Sequence, residues 1–237
     1  MAPTLNSFVN SFTNRLEAPV RQHLKNVYGC LSLSTISAAT GAYVHLYTDV
    51  QKAGFLTALG GLGLLMALLS TPDNGKNQKL RFGYLLGFTF LSGIGLGPLL
   101  EVVISIDPSI IVTALVGTTV VFVSFSISAL LAGRGQWLYI GGTLMSLSNM
   151  TVLLLLANIF LRSSLIYHIE LYLGLFIMCG FIIYDTQLIV EKFRLGSKDF
   201  IGHAVLLFVD FFRVFTYLVE ILTVKEQQKQ KNRKRTE

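Results

Sequence analysis

Two acids stand where acids are costly. Asp185 lies inside the apolar run Leu171–Val190, and Asp210 lies inside the run Phe200–Val224. An aspartate at the centre of a membrane-crossing helix costs about 2.5–3.5 kcal/mol on insertion scales. By helical rise, Asp185 sits roughly 9 Å inward of Glu191, and Asp210 roughly 16 Å inward of Asp199. The two runs flank a short loop, so they pair as a hairpin with the acids at broadly similar depth. Snorkelling to the interface explains Asp185 alone and the pair poorly. Two carboxylates brought together in a low dielectric cannot both ionise cheaply, and their titration belongs to the pair. Protonated, they share a hydrogen bond that ties two segments together. Deprotonated, they repel unless a cation fills the gap, and calcium prefers such oxygen ligands. Asp185 and Asp210 are therefore read as a proton sensor and ion gate, with transient calcium ligation. That chemistry needs neither an enzyme nor a cofactor.

The second of these runs carries more polar residues. His203, Asp210, Arg213, Tyr217 and Glu220 are spaced 7, 3, 4 and 3 apart, which sets them along one helical face. A polar stripe on an otherwise apolar helix faces protein or water rather than lipid. Arg213, three residues after Asp210, can lower the cost of that acid through an intrahelical pair. Two readings stay open for the stripe: a buried structural network, or support for an ion or proton site.

The elements that must position these residues follow from composition. The chain has 237 residues, 52% hydrophobic and only 14% charged, with 19 basic and 13 acidic side chains. Soluble domains carry roughly a quarter charged residues, so a water-soluble fold and a disordered chain are both excluded. The net charge of +6 does not mark a nucleic-acid groove. Six of the 19 basic residues, Lys225, Lys229, Lys231, Arg233, Lys234 and Arg235, crowd into the last thirteen positions, where they flank a membrane segment. Cys30 and Cys179 lie in apolar runs and read as small hydrophobes.

Stretches without charge give the organisation. They run Asn26–Thr48, Ala53–Pro72, Phe82–Leu100, Pro108–Gly133 and Gly135–Leu161, between 19 and 27 residues each. Each is near the ~20 residues that cross a hydrocarbon core. Leu171–Val190 adds one span with a single charge, and Phe200–Val224 a seventh with three. Runs this continuous form helices rather than barrel strands. The expected fold is an all-α integral membrane bundle of seven helices. Residues 1–25 form an N-terminal segment, 26–224 the bundle and 225–237 a basic tail. The first 25 residues lack the apolar core of a cleavable signal peptide.

Lys and Arg in alternate loops number ten (Arg15, Arg21, Lys25, Lys76, Lys79, Arg81, Arg134, Lys192, Arg194, Lys198), against Lys52 and Arg162 opposite. The N-terminus is therefore expected in the cytosol. Seven full crossings would move the basic tail to the far side and make the count ten against eight. A last segment that enters and returns, or is held within the bundle, keeps the tail cytosolic, at sixteen against two, and a cytosolic tail is the expected arrangement. The far side is mildly acidic, with Asp49, Glu101, Asp107 and Glu170, so Glu101 and Asp107 are read as a cation-gathering mouth. Gly83, Gly87, Gly93, Gly95 and Gly97, ahead of Pro98, have the spacing that lets helices approach closely in lipid.

Two motifs carry a family resemblance. One is Gly93-Ile-Gly-Leu-Gly-Pro-Leu-Leu-Glu101, continuing through Asp107-Pro-Ser to Thr113-Ala114. The other is Cys179-Gly-Phe-Ile-Ile-Tyr-Asp-Thr-Gln-Leu-Ile189. With Phe208-Val-Asp210-Phe-Phe and the basic tail, they make the chain, from about Lys25 onward, resemble the Bax inhibitor-1 family, its animal branch most of all. The resemblance implies a last helix (about 200–224) at the centre of six surrounding spans. It implies residence in the endoplasmic reticulum, suppression of cell death and a pH-sensitive calcium leak that is activated by acid. It also implies partnership with Bcl-2-type proteins and with stress sensors of that membrane in the unfolded protein response. The family's aspartate pair maps onto Asp185 and Asp210. Bacterial relatives carry an arginine in the second span that bonds to this pair, but Ala53–Pro72 has no basic residue. Either Arg213 takes that role or a shared proton alone closes the latch.

Rival readings come from other classes. A non-conducting regulator could act only by binding membrane proteins, with the charged tail as a docking site. An intramembrane aspartyl protease also pairs a Tyr-Asp on one span with an Asp on the next. Its second motif requires Gly-x-Gly-Asp, whereas this chain has Leu207-Phe-Val-Asp210.

Overall fold

The computed structural model describes residues 16–48 and 53–236. Among them the chain forms seven α-helices and no strand: α1 (Ala18–Tyr47), α2 (Phe55–Ser70), α3 (Gln78–Ile106), α4 (Ser109–Leu131), α5 (Gly141–Leu161), α6 (Ser164–Arg194) and α7 (Phe200–Thr236). A short 3-10 turn, Leu138–Ile140, leads into α5. Charge-free runs become helices because lipid offers no partner for backbone N–H and C=O groups. Four stretches, α3, α4, α6 and Leu138–Leu161, are long and apolar enough to cross a membrane. Large apolar side chains on their outer faces, such as Val120, Leu153 and Phe176, are exposed, as lipid contact requires. α2 is apolar but has 16 residues, about 24 Å of rise against a core of about 30 Å. The protein is an all-α, multi-pass membrane protein.

The described residues fall into two compact units, 23–111 with 198–208, and 16–22 with 112–197 and 209–236. In the first unit, α1 and α3 meet at glycines. A methyl group on Gly93 would overlap the Ala38 carbonyl, one on Gly41 the Phe90 carbonyl, and one on Gly97 the His45 ring. Gly93 and Gly97 do what the spacing suggests, while Gly83 and Gly95 face open space. Gly41, on the partner helix, has no such neighbour in sequence to announce it. In the second unit, Gly141 receives the Tyr184 ring, Gly180 the Leu144 side chain and Gly174 the Tyr217 ring.

No turn returns the last segment, because the helix continues unbroken for 37 residues to Thr236. Lys, Gln, Arg and Glu are good helix formers, and no Gly or Pro follows Gly202 to stop the helix. Gln228 Nε2 lies 3.3 Å from His168 Nε2, near the start of α6. His168 is separated from Arg194 by about 39 Å of helical rise. The basic tail therefore stands toward the opposite end of α6 from Lys192 and Arg194. The early turns of α7 are buried nearly all round: Ile201, His203, Ala204, Val205, Leu207, Phe208 and Asp210 cover most of its circumference. Such burial belongs to an interior helix.

Candidate functional site

Asp185 and Asp210 come together from α6 and α7. Both are buried, with 8% and 4% of their surfaces exposed. Their carboxyl groups lie within hydrogen-bonding reach of one another. Asp210 Oδ2 is buried without a hydrogen-bond partner. An ionised carboxylate only accepts hydrogen bonds, so this contact is satisfied only when a proton sits between the two acids or a cation stands against them. Among the described residues, no group of three or more His, Cys, Asp or Glu could hold a metal ion. Two carboxylates supply fewer than the six to eight oxygens, roughly, of a retained calcium ion.

The residues around Asp185 fix α6 to the chain before α5. The Gln187 amide donates to the carbonyls of Ala129 (3.0 Å) and Gly133 (3.1 Å), and its oxygen accepts the Trp137 N–H at 2.8 Å. Those three bonds satisfy backbone groups orphaned where α4 ends. One turn further along, Glu191 pairs with Arg134 through Nε (2.9 Å) and Nη2, and also meets Arg194 at 3.5 Å. A cavity of about 260 Å³ lies among Gln187, Glu191, Arg194 and the 132–135 loop. Tyr184-Asp-Thr-Gln187 is thus half chemistry and half anchor: Asp185 faces its acid partner, while Tyr184 and Gln187 hold the helix in register.

The polar stripe of α7 divides among separate partners. Asp210 meets Asp185. The Tyr217 hydroxyl donates to Glu170 Oε1 at 3.1 Å, and the Tyr167 hydroxyl to Glu220 Oε2 at 3.2 Å, cross-bracing α6 and α7. His203 pairs with His23 in the other unit's helices. Arg213 is exposed and makes no ion pair with Asp210; its charge acts on Glu170 and Glu220 instead. An intrahelical Asp210–Arg213 pair is therefore corrected. Burial turns Asp210 inward, and the guanidinium three residues on stays at the rim.

The acidic mouth is also redistributed. Glu101 is exposed and bonds to His45 Nε2 at 3.1 Å. Because the Ala53 N–H donates to His45 Nδ1, Nε2 carries the proton of the neutral ring. Asp107 follows α3, and its Oδ1 accepts the Ser109 N–H at 2.9 Å. Glu170 is not a loop acid: it lies within α6, 4% exposed, held by Tyr217. Asp49, Lys52 and Arg15 lie outside the described residues.

Two constellations escaped the reading of the sequence because their members are distant in the chain. Arg81, 3% exposed, forks onto Asp199 at 2.7 and 2.6 Å and reaches Asp73 at 3.3 Å. Asp199 also accepts the Gly202 N–H at 2.8 Å, capping α7. Burial alone would raise the Asp199 carboxyl, but the Arg81 guanidinium prevails and holds it below the ordinary 3.8. The second constellation is His23 with His203. In the sequence Arg81 is one loop charge among ten, and His23 carries no signal at all.

A helical membrane protein with a buried acid pair between its last two helices is the class that these features define. Comparison with known proteins narrows it. The profile of the family described as "Inhibitor of apoptosis-promoting Bax1" matches residues 20–227. Bax inhibitor 1 of Mus musculus is 47% identical over 214 residues, 90% of each chain. Bax inhibitor 1 of Drosophila melanogaster is 44% identical over 228 residues, 96% of this chain and 93% of its own. Bax inhibitor 1 of Arabidopsis thaliana is 40% identical over 217 residues, 91% and 86% of the two chains. The chain belongs to the Bax inhibitor family.

Proposed function

We propose that this protein suppresses cell death from the endoplasmic reticulum membrane by acting as a proton-sensitive calcium leak through the Asp185–Asp210 pair, without enzymatic activity. The carrying observation is the contact between two buried carboxyls from adjacent helices, with Asp210 Oδ2 unpartnered. A shared proton satisfies this contact and holds α6 to α7. Calcium, attracted by the same oxygens, competes for the space when the proton leaves. With no basic residue in α2 and Arg213 turned outward, a shared proton is the latch these residues supply; the family resemblance implies the opposite sign, opening by acid, and the pH series below decides between the two. Glu101 and Asp107 would gather cations at one mouth. The N-terminus faces the cytosol, and the helical basic tail stands toward the end of α6 away from Lys192 and Arg194. Bcl-2-type proteins and stress sensors of the same membrane are the proposed protein partners.

The test is calcium flux into dye-loaded liposomes containing the purified chain, measured across a pH series. Asp185→Asn with Asp210→Asn is expected to abolish the pH dependence, because amides cannot exchange the proton. No flux in the wild type, or an unchanged pH profile in the double variant, would refute the gate. The exposed basic helix end, 225–233, favours a second reading as a protein-binding regulator. Survival activity retained by a flux-dead double variant would establish that reading instead.

A further inference from the structure

The contact between His23 and His203 plays no part in the leak proposed above. His23 Nε2 lies 2.9 Å from His203 Nδ1, with the rings 84° apart and their centroids separated by 5.1 Å. Both side chains are buried, at 6% and 4% exposure. A nitrogen–nitrogen hydrogen bond needs one ring to donate and the other to present a lone pair. Two neutral imidazoles meet that condition, and so does one imidazolium with one neutral ring. Two imidazolium rings do not, because both facing nitrogens then carry protons.

Burial and the helix ends act against charge on either ring, and Asp199 acts the other way. His23 lies in the second turn of α1, and His203 is the fourth residue of α7. Helix N-termini present the positive end of the dipole, which disfavours a cation. Burial removes the water that would solvate an imidazolium. Among the described residues, Asp199, in the loop before α7, is a charged group that acts on both rings. It is already committed to Arg81 of α3 and to the Gly202 N–H, and Asp73 of the α2–α3 loop lies on Arg81's other side. His23, ahead of the charge-free part of α1, is held below its ordinary 6.5, with burial outweighing the attraction of Asp199.

We propose that His23 and His203 form a second proton-binding site, distinct from the aspartate pair, which fastens the start of α1 to the start of α7 and releases it when acid protonates both rings. The sign follows from linkage. Because burial holds His23 below its ordinary 6.5, the fastening is complete above about pH 6.5 and is lost as pH falls through the lowered value. The proposal does not depend on ion conduction.

Hydrogen–deuterium exchange of the full chain in lipid nanodiscs tests it, read by peptide at about pH 7.5 and about pH 5.5 and corrected for intrinsic exchange. Protection of 18–28 and 200–208 should fall about tenfold at the lower pH, while α4 stays unchanged. His203→Asn, which keeps a hydrogen-bonding amide but cannot titrate, should abolish that loss. Equal protection at both pH values in the wild type, or equal loss in every helix, would overturn the proposal. Nitrogen-15 imidazole spectra of the wild type give a reading that needs no variant: two rings linked by one shared proton, separating in acid. An Asp185→Asn, Asp210→Asn background separates the two sites. The acid response must persist there, and its disappearance would assign the effect to the aspartates.

Discussion

Asp199 and Asp210 lie eleven residues apart in the chain, at the threshold and in the interior of α7, and meet opposite company. Asp199 faces a buried guanidinium in a forked pair, with a helix N–H as a further donor. Asp210 faces another acid and keeps one oxygen without a partner. The first arrangement neutralises charge permanently, because the guanidinium does not deprotonate. The second neutralises charge only while a proton or cation is present. Buried acids can thus serve as fasteners or as switches, and the partner decides which.

The largest effect that would test this contrast is at the fastener. Asp199→Asn leaves Arg81 buried with Asp73 alone, and removing one member of a buried ion pair costs about 3–5 kcal/mol. Unfolding in mixed detergent micelles should show a loss of that order at neutral pH. The Asp199 carboxyl is held below its ordinary 3.8 in the fold, so its stabilisation is present above about pH 3.8 and disappears as pH falls further. The variant should lose that acid-dependent component. A smaller effect is expected at the switch: Asp210→Asn removes a like-charge contact and supplies a donor to Asp185. Stability at neutral pH should stay level or rise by about 1 kcal/mol. A loss as large as that of Asp199→Asn would make the pair a fastener after all. The smallest effect belongs to Arg134→Ala. Its pair with Glu191 is at the surface, with Arg134 66% exposed, and the unfolding midpoint should not move measurably because water solvates the separated charges.

The acid pair was legible in the sequence and the fastener was not, for a physical reason. An aspartate in an apolar run is conspicuous wherever its partner lies, and the short loop between α6 and α7 brings Asp185 and Asp210 to similar depth. Arg81 and Asp199 sit at the edges of apolar runs, where charge is ordinary. Their pairing joins residues 118 positions apart. The same applies to His23 and His203, 180 positions apart, and to Gly41, whose use appears only once Phe90 is laid against it. Helix ends were legible only in part. α6 extends from Ser164 to Arg194, beyond the charge-free core at both ends, because charged and polar residues continue a helix readily once it leaves the hydrocarbon.

By itself the sequence determined the solvent, the number of helices and the presence of an acid pair. Hydrocarbon forbids unpaired backbone and penalises charge, and both constraints are written in the order of residues. Tertiary structure alone decided what each polar residue meets: Gln187 an orphaned helix end, Tyr217 a buried glutamate, Arg213 no acid on its own helix. It also decided that the basic tail prolongs α7 instead of turning back, since charge composition permits both. Spacing along one helix sets a face, but the neighbour on that face is chosen by packing between segments far apart in the chain.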